Sequence, residues 1–248
     1  MNEHEFQDRL SVINTHWTLL RQAHRGDEDA AAQARAELMQ RYCGAVYRYL
    51  LGGVRDPDVA DDLSQEFAVR FLEGRFHKAD PTRGRFRDYV KTCLFHLVGD
   101  YRRRQGKQPR SDPLESNEPA APPEPMPEED QAFRDSWREE LLTRAWLALS
   151  RMQQEFGQPY YQVLRFRVDQ AGLTSQQMAE QLSQQLGKSM TAAGVRQLLH
   201  RARERFAEML LDEVRRSLGP AGRDYLEEEL AELNLLKYCQ SALQKEEG

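Results

Sequence analysis

Long apolar runs are missing from this 248-residue chain, and no stretch reaches the length a membrane span needs. The opening Met1-Asn2-Glu3-His4-Glu5 has neither the basic nor the apolar segment of a secretory signal, so a cytoplasmic protein is expected, with no membrane partner. Cysteine is scarce. Cys43, Cys93 and Cys239 are odd in number, widely spaced and free of any CxxC pattern, which argues against a disulfide framework and against a structural zinc site. The alternation of Val, Ile and Thr that marks strands is absent as well. There is no P-loop, no glycine-rich phosphate cradle, no metal-ligand spacing and no nucleophile with a partnered base, and the histidines are scattered singly. The expectation is a protein without enzymatic activity, metal or cofactor. What the chain has in abundance is Ala, Leu, Gln, Arg and Glu, the composition of an all-α protein.

The net charge of −5 conceals a strong segregation. Residues 83–110 hold nine basic side chains against two acidic ones, and residues 141–217 hold eleven against seven. Between them, residues 111–140 hold ten acids against two bases. Basic islands of this kind are the electrostatic footprint of nucleic-acid contact, because neutralising phosphates supplies most of the sequence-independent affinity. A solvated charge run is the plainer alternative for residues 83–110 taken alone.

Seven prolines between Pro109 and Pro127, set among acids, cannot continue a helix or bury enough apolar surface to offset their ordering entropy. Residues 108–130 therefore read as a semi-extended linker. They separate a first helical domain, residues 1–107, from a second, residues 131–218, with a helical extension over 219–248. The linker's acidity either keeps it in solvent or lets it imitate DNA on the basic faces nearby.

Four helices are expected in the first domain: residues 5–22, residues 30–51 with Leu38, Tyr42, Val46 and Leu50 in a stripe, a third opened by Asp56-Pro57, and a fourth over residues 86–104. In the third, Val59, Leu63, Phe67 and Phe71 recur at i, i+4 and should point inward, leaving Asp61, Asp62, Gln65 and Glu66 towards solvent. Such an acidic face is by itself an ordinary solvated one. Around the fourth, Phe76, Arg83, Arg85, Phe86, Arg87, Tyr89, Lys91, Arg102, Arg103 and Arg104 mix aromatics with cations. That mixture suits unstacked single strands, since every base offers a π-face and every nucleotide a phosphate.

The second domain reads as a helix-turn-helix. Thr174-Ser175-Gln176-Gln177 fits a capping box, Met178, Ala179 and Leu182 face inward, and Gly187 supplies the turn. Ser189 or Thr191 caps the next helix, where Val195, Leu198, Leu199, Ala202, Phe206, Met209 and Leu210 form a core stripe of period 3.6. Its other face shows Thr191, Ala192, Ala193, Arg196, Gln197 and His200 where a recognition helix meets base edges, arginine suiting guanine and glutamine adenine. Arg201, Arg203 and Arg205 stand where they would position the helix on phosphates. Helices over residues 133–156 and 160–170 should pack beneath this motif through Leu141, Leu142, Ala145, Leu149, Tyr161, Leu164 and Val168.

Residues 47–104, with Asp-Pro-Asp-Val-Ala-Asp-Asp-Leu-Ser-Gln-Glu-Phe, Arg-Gly-Arg-Phe-Arg-Asp-Tyr-Val and Gly-Asp-Tyr-Arg-Arg-Arg, resemble region two of the extracytoplasmic-function (ECF) sigma factors of bacterial RNA polymerase. The helix-turn-helix resembles their region four, in the same order along the chain. The resemblance implies that Asp61, Asp62, Leu63, Gln65 and Glu66 dock on core RNA polymerase. Residues 77–89 would capture flipped bases of a melted −10 element, while Lys91 and Arg102 to Arg104 hold phosphates beside them. The helix with Arg196, Gln197 and His200 would read the −35 element. Many members carry tryptophan near the position of Tyr89, and this chain does not. The partners implied are core polymerase and promoter DNA, duplex and melted, with an anti-sigma protein or a regulatory kinase as candidate controllers.

Residues 224–244 can form one amphipathic helix, with Leu226, Leu230, Leu233, Leu236 and Leu243 apolar and Glu227, Glu228, Glu229 and Glu232 solvated. It either regulates access to one of the domains or simply caps the second. A helix-turn-helix repressor or activator that works on duplex without polymerase would account for the second domain, but leaves the arginine-rich and acidic helices of the first without a role.

Overall fold

A computed structural model describes residues 30–72, 86–106, 127–218 and 225–246. Among the described residues lie nine α-helices and no strand: α1 (Ala30–Val54), α2 (Pro57–Leu72), α3 (Phe86–Gln105), α4 (Pro127–Phe156), α5 (Tyr160–Asp169), α6 (Ser175–Leu186), α7 (Ala192–Leu218), α8 (Leu226–Glu232) and α9 (Leu236–Glu246). The helix expected over residues 5–22, the turn around Asp80-Pro81 and the linker as far as residue 126 lie outside the described residues. No helix among the described residues is long and apolar enough to cross a membrane. The described residues fall into two compact units, one reaching Glu140 and including Ser217 and Leu218, the other holding Leu141–Arg216 and the residues from 225 on.

The core of unit one comes from stripes at i, i+3 and i+4 on successive helices. Tyr42, Val46 and Leu50 of α1, Leu63, Phe67 and Phe71 of α2, and Val90, Leu94 and Leu97 of α3 are all buried. Arg55 closes α1 in the left-handed region (φ 56°), and Asp56 opens α2. The Asp56 Oδ1 accepts hydrogen bonds from the backbone N–H of Asp58 (3.0 Å) and Val59 (3.2 Å), with Pro57 at the first helical position where its missing N–H costs nothing.

The helix expected from Phe133 begins earlier, at Pro127, and its first turn carries Glu128, Glu129 and Asp130. Proline at the first position and acids in the first turn are both favoured there, the acids by the partial positive charge of the helix N-terminus. It does not serve the second domain alone. Up to Glu140 it belongs to unit one, where Phe133 and Trp137 are fully buried. Trp137 stacks on Tyr42 with ring centroids 4.5 Å apart, and Phe133 meets Tyr49 edge-on at 5.5 Å. Burying a large aromatic stabilises by about 2–3 kcal/mol, so these contacts hold α4 firmly against α1. Gly44 leaves room for the Glu140 side chain, because a Cβ there would lie 2.1 Å from its carboxylate. That carboxylate accepts from Arg48 at 3.0 Å.

In unit two, Leu149 of α4, Val163 and Leu164 of α5, Met178, Ala179 and Leu182 of α6, and Val195, Leu199 and Ala202 of α7 form one core. Trp146 closes its edge against Tyr161 and Phe206, at 5.8 and 4.7 Å between centroids. Val168, expected in this core, is instead 55 % exposed. It is one turn beyond Leu164 and next to the last residue of α5.

The single C-terminal helix expected from the leucine spacing is two helices. The chain breaks at Leu233-Asn234-Leu235, with Asn234 in the left-handed region (φ 56°) that asparagine tolerates better than most residues. The break turns Leu230, Leu233, Leu235, Cys239 and Ala242 inward together, and buries Glu229, which was expected in solvent.

Candidate nucleic-acid interface

On α2 the structure separates the five residues singled out from the sequence. Asp62 and Gln65 are exposed, Asp61 and Glu66 are half-buried, and Leu63 is buried at 4 % exposure. Asp62 and Gln65 thus form an open polar surface, while Leu63 serves the core beneath it. Glu66 looks across to α3, where Arg104 approaches it at 3.6 Å, and it also pairs with Arg70 on its own helix. Arg70 lies 3.7 Å from Asp100 of α3. The acidic face of α2 and the cationic end of α3 are therefore one continuous, charge-paired surface.

Of the aromatic and basic residues expected to meet single-stranded DNA, Phe76, Arg83 and Arg85 lie outside the described residues, as do the side chains of Phe86 and Tyr89, whose backbone starts α3. Arg87 is a correction: its side chain is 2 % exposed, so it stands inside the unit and not on the surface expected of it. It shares that interior side of α3 with Val90 and Leu94, three and seven positions on. Arg102, Arg103 and Arg104 are the exposed cations, at the C-terminal end where the helix dipole favours them.

These cations are matched by carboxylates. Lys91 Nζ donates to Asp130 Oδ1 at 2.7 Å, Arg102 to Glu129 Oε1 at 2.6 Å, and Arg103 pairs with Asp100. Asp130 also pairs with Arg134. Burial raises the Asp130 carboxyl, but the hydrogen bond and charge of Lys91, with the charges of Arg134 and Arg87, outweigh it and hold the group below its ordinary value. Tyr49 lies in the same field. Burial and the negative Glu129 push its phenol up to about 12, with Arg102 opposing. By composition alone Glu129 and Asp130 read as linker. The signal that places them on a helix was present in Pro127 followed by three acids.

The turn between α6 and α7 and the starts of both helices are built from local hydrogen bonds that the sequence specifies. Thr174 Oγ1 accepts from the Gln177 N–H at 3.3 Å, and the Gln177 side chain accepts from the Thr174 N–H at 2.9 Å. Gly187 takes φ 63°, which glycine adopts freely. Thr191 is the cap of α7, its Oγ1 accepting from the Gly194 N–H at 3.1 Å, and Ser183 Oγ accepts from the Met190 N–H at 2.9 Å across the turn. On α7, Ala193, Arg196, Gln197, His200, Arg201 and Arg203 are all exposed, with Ala192 half-buried beside the cap. His200 Nδ1 is 3.2 Å from Glu204. Lys245 of α9 is 2.8 Å from Glu204 and 3.5 Å from Glu208. Its hydrogen bond is the main reason the Glu204 carboxyl is held below its ordinary value, and Lys245 is raised by the same bond. Neither Lys245 nor the two glutamates figured in the sequence reading of this face.

Residues 38–108 match the family model for Sigma-70 region 2, which takes in α2, α3 and most of α1. Comparisons with curated proteins and with solved structures give no match.

Proposed function

We propose, from the premise that residues 38–108 are a Sigma-70 region 2 domain, that this chain is a sigma factor of the extracytoplasmic-function type. It recruits bacterial core RNA polymerase to promoters and helps to melt them. What supports the reading is the pairing, in one chain, of that region with the two helices α6 and α7 behind it, joined by a tight turn, whose capping box and exposed Arg196, Gln197 and His200 suit a helix-turn-helix meeting base edges in the major groove.

The roles divide by surface. Asp62 and Gln65, with the half-buried Asp61 and Glu66, offer core polymerase an acidic and amide face, and Leu63 supports it from below. Residues 76–89 capture unpaired bases of the −10 element, and Lys91 and Arg102 to Arg104 hold the adjoining phosphates. Helix α7 reads the −35 element. No covalent chemistry is involved. Melting follows from tighter binding to unstacked than to paired bases, which shifts the population towards open DNA.

The test is titration of fluorescently labelled full chain with bacterial core polymerase. The reading requires saturable one-to-one binding. Failure to bind core, with dimerisation and independent duplex binding, would overturn it in favour of a helix-turn-helix repressor.

A further inference from the structure

The strip of α7 that carries Gln197, His200 and Arg201 does not end with them. Glu204 follows His200 at i+4 and Gln197 at i+7, and Glu208 follows Glu204 at i+4, so helical geometry puts both half-buried carboxylates on the same line of the helix. Two acids there oppose a DNA backbone, and a duplex-reading helix would be weakened by them. The C-terminal hairpin answers this. Helix α9 lies alongside α7 in the opposite sense, with Cys239 in the field of Arg215 and Lys245 reaching Glu204 at 2.8 Å and Glu208 at 3.5 Å. Arg205 approaches Glu208 at 2.7 Å from the same cleft, which Tyr160 and Arg201 also line.

We propose that the α8–α9 hairpin is part of the duplex-binding surface of unit two, with Lys245 supplying the positive charge that offsets Glu204 and Glu208 beside the base-reading turns of α7. The proposal rests on reading α7 as a duplex-binding helix. It assigns the hairpin a contributing role with a definite sign: the contact to Glu204 and Glu208 of α7 is made by a cation.

The test is binding of the full chain to a random-sequence duplex pool at low salt, followed by fluorescence anisotropy across a salt series. Lys245→Gln is expected to weaken binding about threefold and to flatten the dependence of log affinity on log salt, while the Glu204→Gln/Glu208→Gln double variant strengthens binding. Lys245→Arg should behave as the unaltered chain. Thermal unfolding of all variants should be unchanged, since exposed ion pairs add little to stability. Unchanged affinity in Lys245→Gln overturns the proposal and leaves the duplex reading intact. Tighter binding overturns it too and makes the hairpin a competitor of DNA. Loss of affinity that comes with a lowered melting temperature and is not restored by arginine reduces Lys245 to a structural anchor. No duplex binding by the unaltered chain, either alone or with core polymerase bound, removes the helix-turn-helix reading and this inference with it.

Discussion

Lys91 and Asp130, 39 positions apart, are joined by a hydrogen bond of 2.7 Å, so a cation expected to hold a DNA phosphate is held by the first turn of the helix that follows the linker. Arg102 and Glu129 repeat the arrangement at 2.6 Å. A carboxylate in that position competes with phosphate for the same cation. Replacing both acids, Glu129→Gln with Asp130→Asn, is expected to raise affinity for a single-stranded oligonucleotide by about three- to tenfold at low salt, measured by anisotropy. A decrease would show that these pairs are needed to hold α3 in place.

The same pair sets an acid limit on stability. The folded Asp130 carboxyl ionises below its ordinary value, so its contribution is fully present above the unfolded pKa and is lost as pH falls through the folded one. Urea midpoints should fall more steeply between pH 5 and pH 3 (roughly the window in which carboxylates protonate) in the unaltered chain than in Asp130→Asn. Equal slopes would contradict the assignment.

Gly44→Ala places a methyl group where the Glu140 carboxylate now sits, 2.1 Å away, and so displaces the partner of Arg48. The pair is largely buried, with side chains 17 % and 9 % exposed. A loss of about 2–3 kcal/mol in unfolding free energy is expected, measured by urea titration.

Asp62 and Leu63 are neighbours in sequence with opposite surroundings. Asp62→Arg is expected to lower affinity for core polymerase by about tenfold with no change in melting temperature, because the side chain is exposed. Leu63→Ala should cost about 2–4 kcal/mol of stability, because it is buried. If both variants lose stability and neither loses core affinity at a temperature where it is folded, α2 is not the docking face.

Arg196 and Arg201 are both exposed on α7, but they are assigned different roles. Arg196→Ala is expected to relax selection at one base-pair position by about 1–3 kcal/mol, whereas Arg201→Ala weakens all sequences alike. Selection from a randomised −35 library, scored position by position, distinguishes the two.

Where one side chain chemistry and one local geometry determine the outcome, the sequence was sufficient. Asp56-Pro57 opens α2, Thr174 and Gln177 form the capping box, Gly187 makes the turn, and the stripe from Val195 to Leu210 is the side of α7 turned to the core. Readings failed where a distant partner decides. Arg87 looks like any other arginine of a basic helix until the interior side of α3 claims it. Phe133 and Trp137 look like the start of the second domain until Tyr42 and Tyr49 take them into unit one. The leucines from 226 to 243 satisfy one helix, and only the shared burial of Leu233, Leu235 and Cys239 requires the break at Asn234. The partners of the candidate cations, Glu129 and Asp130, were hidden by the prolines before them, which made an acidic helix start resemble more linker.

The most direct measurement is run-off transcription by bacterial core RNA polymerase, with and without this chain, on a pool of upstream fragments from the genome that encodes it. Discrete new start sites, preceded by two shared sequence elements at a fixed spacing, are the predicted result. The absence of any new start site, with core saturated by the chain, would contradict the account.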